Sequence, residues 1–227
     1  MHNDTPDAAP RRDFLSRLAA GTVALAATSL IPERAEALAD SVKAPGEWDE
    51  TWLDKIKGKH RQMYDATEIN QGFPLAWARV FIMTNMEAYK LPESEISTVI
   101  VCRHSGIPFV FQDSIWSKYN FGKEFNVIDP ATKQPSTRNI YYHSKPGDLL
   151  LPDMSVDKLQ ASGTIFVVCN VALTIYSQNL GGKVGVAADK AKAEWTAGLV
   201  PGVTIIPSGV LGVNRAQEKG CTYCFAG

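Results

Sequence analysis

Short apolar runs and longer amphipathic runs take turns along the greater part of this 227-residue chain. Residues 96–102 (ISTVIVC) and 164–168 (TIFVV) are short, rich in β-branched residues and apolar on both faces. That is the pattern of strands covered on both faces, not of strands with one wet side. Residues 59–66 (KHRQMYDA) read as a more polar first strand, and 203–207 (VTIIP) as a short late one. Between them, Leu75, Ala78, Ile82 and Met86 recur at three- and four-residue steps, which predicts a helix over 75–90 that Pro92 stops. Further helices are expected over 109–119, 155–161, 170–180, 187–199 and 210–219, with a short Trp-bearing helix over 48–57 lying against the body. From 122 to 152 the periodicity dissolves into Asp-Pro, Gln-Pro, Lys-Pro and Pro-Gly steps, a long irregular insert. Strands that alternate with helices predict an open, mainly parallel α/β sheet of about five strands. Helices should cover both of its faces, with right-handed crossovers.

The start of the chain follows another rule. Pro10-Arg11-Arg12-Asp13-Phe14-Leu15-Ser16 precedes an apolar and small-residue run from Leu18 to Leu30, and Ala35-Glu36-Ala37-Leu38-Ala39 follows. A charged start, about a dozen apolar residues and an A-x-A exit describe a removable export signal. A membrane span needs roughly twenty apolar residues, and this run is shorter. Paired arginines before Phe-Leu resemble the bacterial twin-arginine address, read by the translocase that exports folded cargo. An ordinary amphipathic N-terminal helix is the other reading. Against it, the run has no polar face, and a polar stretch with Pro and Gly, residues 40–46, sets it apart. The expected organisation is therefore a signal over 1–39, an extension over 40–58 and an α/β domain over 59–227, working in the periplasm.

Charge narrows the partners. Leaving out residues 1–39 removes four basic and five acidic residues from totals of 23 and 24, so the remainder is formally neutral. No basic stripe marks it as a nucleic-acid binder, and no later stretch is long and apolar enough to span a bilayer. Phosphate-binding glycine loops, H-E-x-x-H and G-x-S-x-G are all missing, and nothing calls for a cofactor.

Candidate chemistry centres on four cysteines, Cys102, Cys169, Cys221 and Cys224. Cys102 and Cys169 each close an apolar strand, and open parallel sheets bind ligands at the carboxyl ends of their strands. Cys169 also stands where the next helix starts, where unpaired N–H groups and the helix dipole favour a thiolate. A buried structural thiol is the alternative, since free cysteine is among the most buried residue types. Asn170 stands at the same junction. Cys221 and Cys224 form a single C-x-x-C, open to three readings. They are a redox pair if the tail turns, two separated thiols if it is a strand, or half of a zinc site whose other ligands are not evident. His104, in the loop after residues 96–102, is a candidate proton donor or anion contact, or a surface histidine. Arg138, in the insert, is a candidate anion contact over the site, or part of a solvated loop. Asp65 ends the first strand and lines the crevice or caps a turn.

Three segments carry a family resemblance. TIFVV-Cys169-Asn-Val-Ala-Leu resembles the strand-cysteine-helix element of the DsrE/DsrF/TusD-like proteins. GVLGVNRAQEKG with CTYCFAG is similar to that family's last helix and edge strand, and TVIVCRHSG falls where the family has its second strand and site loop. The resemblance covers residues 59–227. It implies a flavodoxin-like sheet, assembly into homo-oligomers, and for Cys169 the role of persulfide carrier between a sulfur donor and an acceptor protein. A non-catalytic small-ligand or metal-binding module of the same fold is the other function it allows. The export signal and the insert over 122–152 depart from the pattern.

Overall fold

The computed structural model describes residues 48–151 and 153–227. The expected export segment and the first part of the extension lie outside the described residues. Five strands form one sheet, β1 (His60–Ala66), β2 (Ile96–Cys102), β3 (Ile165–Cys169), β4 (Thr204–Ile206) and β5 (Thr222–Phe225). All are parallel, in the order β4-β3-β2-β1-β5. The helices are α1 (Phe73–Tyr89), α2 (Asp113–Lys118), α3 (Phe121–Glu124), α4 (Val156–Ala161), α5 (Asn170–Lys183), α6 (Ala188–Ala197) and α7 (Gly209–Glu218). This is an open, doubly wound α/β sheet, as the alternation of runs predicts. Among the described residues, no helix is long and apolar enough to cross a membrane.

The strand order dictates the layers. From β1 to β4 the chain steps outward one strand at a time, and right-handed crossovers place every such connection on one face. From β4 it returns across the whole sheet to β5, so α7 must lie on the other face. The core divides accordingly. Tyr64, Ile100, Phe166 and Val168 pack with Leu75 and Ile82 of α1, Leu173 of α5 and Trp195 of α6. Their sequence neighbours Met63, Val99, Val101 and Val167 pack with Ala216 of α7 and with Trp52, Leu53 and Ile56 around the 3-10 turn Thr51–Lys55. Adjacent strand residues thus serve opposite faces, and every residue of β2 is buried, which is why its sequence shows no alternation.

Two expectations change in detail. Residues 109–119 do not form one helix. A 3-10 segment His104–Val110 carries Pro108, the chain then extends at Phe111 to bridge Leu199, and α2 begins only at Asp113. Proline explains the break, because it removes a backbone donor from a regular helix. The carbonyl of Pro108 instead accepts from the Trp116 indole at 3.1 Å. The insert over 122–152 is irregular but packed. Asn139 donates to the carbonyls of Phe109 and Phe111 at 2.8 and 2.7 Å and accepts from the Tyr141 backbone at 2.9 Å, while Ile140 and Tyr141 enter the core. The tail adopts the strand form.

Candidate functional site

In an open sheet, a crevice forms where the connections after two neighbouring strands leave towards opposite faces. Here β3 runs into α5 on one face and its neighbour β4 runs into α7 on the other, so the crevice opens above their carboxyl ends. A cavity of about 500 Å³ occupies that place, bordered by Arg103, His104, Cys169, Tyr176, Ser208 and Val210.

Cys169 is the last residue of β3 and the N-cap of α5, with extended backbone. Its Sγ accepts from the backbone N–H of Ala172 at 3.3 Å, the position a serine or aspartate oxygen takes in an ordinary cap. The residue is only 6% exposed, yet it borders the cavity. Sulfur therefore sits at a floor, reached from above.

Arg103 follows β2. Its Nε and Nη2 fork onto Asp65 Oδ1 and Oδ2 at 2.6 and 2.8 Å, and the Tyr223 hydroxyl donates to the same carboxylate at 2.9 Å. The Asp65 hydrogen bond holds Arg103 in its charged form, above the usual arginine range, and Cys169 is close enough to add to that effect. Burial and the bond to Asp65 both push the Tyr223 phenol upward. Gly209, the first residue of α7, lies against Arg103, and a Cβ there would stand 2.4 Å from that of Arg103. His104 is exposed and held at φ 48°, in the left-handed region. Its Nδ1 is 3.1 Å from Ser105 Oγ, and its ring meets Tyr176 edge-on at 6.1 Å.

The residues singled out from the sequence therefore separate. Cys169 and His104 share the cavity. Asn170 is buried at the first turn of α5 and is not one of the lining residues. Asp65 is buried behind the cavity as the anchor of Arg103 and is not a ligand contact on its wall.

Arg138 requires a correction, because it does not reach over the Cys169 site. Its Nε binds Asp129 and its two Nη atoms fork onto Asp148, all at 2.7 Å, so two buried carboxylates already occupy the guanidinium. It borders a different hollow, of about 450 Å³, within the insert.

The redox pair is also corrected. Cys221 precedes β5 and is buried with α7 on one face of the sheet, while Cys224 packs, half-buried, into the core of the other face. Strand geometry holds the two thiols apart. Burial pushes the Cys221 thiol up to about 11, and that of fully buried Cys102 well above the ordinary thiol range. Among the described residues, no group of three or more His, Cys, Asp or Glu side chains is placed to hold a metal ion.

Arg103, Tyr176, Ser208 and Val210 were not candidates from sequence alone. For Ser208 a signal existed, since residues 203–207 are followed by Ser208-Gly209, a strand-to-helix turn of the kind that builds sites at carboxyl edges.

No family model matches the chain, and no curated protein matches it. A protein of unknown function from Methanobacterium thermoautotrophicum has a solved structure that is similar at 18% identity. The match covers 74% of this chain and 99% of that one, with a TM-score of 0.36.

Proposed function

We propose that this chain is an exported DsrE-like protein that accepts sulfane sulfur on Cys169 as a persulfide and hands it on. One observation carries the reading: the Cys169 sulfur caps α5 at the floor of a ligand-sized cavity, on the carboxyl edge of the sheet. The Ala172 N–H aimed at it is a donor that a charged sulfur accepts more strongly than a neutral one. In the proposed step the thiolate attacks the outer sulfur of a donor R–S–SH. The new S–S bond forms, the old one breaks, and R–S⁻ leaves with its electron pair, while the proton stays on the transferred sulfur. The test is mass spectrometry after incubation with a persulfide donor. A gain of one sulfur on Cys169, absent in Cys169→Ser, is expected, and no gain rejects the role.

Export to the periplasm by the twin-arginine translocase rests on residues 1–39 alone. Replacing Arg11 and Arg12 by lysine should leave the precursor in the cytoplasm on fractionation. We also propose self-association, as the family resemblance implies. Phe73, Val80, Met83 and Met86 of α1 are exposed apolar side chains suited to it, and sedimentation of the Val80→Glu variant tests it.

A second reading, a small-ligand binding module without chemistry, draws on the apolar side chains of α5 and α7 around the cavity. Native mass spectrometry of protein taken from its own periplasm would favour it by revealing a retained organic ligand on Cys169→Ser.

A further inference from the structure

We infer that a small anionic organic thiol or persulfide is a reagent that the Cys169 site takes. The inference rests on Cys169 being the reacting atom of the site described above.

Size comes first. Cys169 is 94% buried and borders the site only at the floor of a cavity of about 500 Å³. That lies within the roughly 300–1,000 Å³ of sites that enclose small organic molecules.

Chemistry of the walls comes second. Val171, Ile175 and Tyr176 of α5 and Val210 of α7 form an apolar side on which a carbon skeleton can lie. Arg103 borders the same cavity. Asp65 takes its Nε and Nη2, while Nη1 makes no hydrogen bond among the described residues. Asp65 itself is buried and does not border the cavity, and among the described residues no other carboxylate does, although Glu68 acts on Tyr176 from nearby. Asp65 balances the charge of Arg103, so what an entering anion would meet is the guanidinium's unpaired Nη1, held in place by the fork on Asp65 and the contact with Gly209. A carboxylate or sulfonate on the carbon skeleton would meet Arg103 while the sulfur meets Cys169, since both residues border the cavity. The same geometry serves donor and acceptor, R–S–SH in one direction and R–S⁻ in the other, so no further reactant is needed.

Charge-tagged methanethiosulfonate reagents test this without assuming sulfur transfer. Each places R–S on a thiolate and releases methanesulfinate, and mass spectrometry assigns the site. Rates on Cys169 are measured for the sulfonate-bearing and the trimethylammonium-bearing reagent. Each is divided by its rate on a short unstructured peptide of the same local sequence. The sulfonate reagent should be favoured by about tenfold or more, the scale of one charge-assisted hydrogen bond to the guanidinium. Arg103→Gln should abolish the preference. Should that variant not fold, Val210→Glu decides alone. Val210 is 67% exposed at the rim, so the substitution should fold and reverse the preference. Equal normalised rates, or a preference that survives Val210→Glu, overturn the inference.

A parallel loading experiment compares cysteine persulfide with a persulfidated protein. Loading from the persulfidated protein alone leaves the sulfur role intact and sinks the small-molecule reading. Anion preference with no loading from any donor does the reverse.

Discussion

At the scale of residues, the site depends on a side chain that never enters it. Asp65 is buried, and its two oxygens are taken by the Arg103 fork and the Tyr223 hydroxyl. Removing the neutral donor and removing the cation should therefore cost different amounts. Tyr223→Phe takes away one hydrogen bond and should cost about 1 kcal/mol. Arg103→Met leaves a buried carboxylate without its counter-charge and should cost about 3 kcal/mol. Urea unfolding of the two variants checks the ratio, and equal losses would mean that Asp65 does not carry its charge in the folded protein. The position of Cys169 at the carboxyl edge was legible because a strand end and a helix start are both local signals. The grip of Asp65 on Arg103 was not legible. The two lie 38 residues apart and meet only because Asp65 pairs with Val101 across adjacent strands.

At the scale of elements, close approach and buried charge decide what the fold tolerates. Helix α7 can lie against Arg103 because position 209 is glycine, and an added Cβ would meet the Cβ of Arg103, which has nowhere to move. Gly209→Ala should destabilise by about 1–3 kcal/mol, the cost of overpacking a filled site, despite alanine's better helix propensity. At Gly212 the Cβ would meet the end of the Ile206 side chain, which can rotate, so Gly212→Ala should cost less. Thermal melts of the pair test the order.

The insert makes a second prediction at this scale. Hydrogen bonds from Arg138 hold the carboxyls of Asp129 and Asp148 below the ordinary carboxylate range. In the unfolded chain both protonate near the usual value of about 4. As pH falls through that range, the unfolded state takes up protons that the folded state resists. The cluster's stabilisation is therefore complete above that value and lost as pH drops towards the folded values. Urea midpoints measured from about pH 6 down to about pH 3 should fall for the native sequence, and less for Arg138→Met. A long proline-rich stretch was legible as an insert. Its charge cluster was hidden, because sequence does not say which of several carboxylates a loop arginine will meet.

At the scale of the whole molecule, alternation of strands and helices announced a parallel α/β sheet, and local patterns placed β1 to β4 within a residue or so, while the tail that forms β5 was left open. Strand order is a different kind of information. No local signal tells that the chain, after stepping outward to β4, returns across the sheet to pair β5 with the open side of β1. That return puts α7 alone with the N-terminal turn on its face and makes the β3–β4 edge the switch point, so it creates the site. It also makes the C-terminus structural. Gln62, Met63, Tyr64 and Asp65 pair with Thr222, Tyr223, Cys224 and Phe225, the Ala226 N–H donates to the Asp65 carbonyl at 3.1 Å, and Ala226 itself is fully buried. Deleting residues 221–227 should leave β1 as a bare edge, with Asp65 short of its Tyr223 partner. The expected loss in Tm is about 10 °C, equivalent to about 3–5 kcal/mol for a domain of this size. Concentration-dependent aggregation should accompany it, because an unpaired strand edge recruits other chains. Were β5 instead a free tail that adds nothing to β1, the same deletion would leave melting and light scattering unchanged.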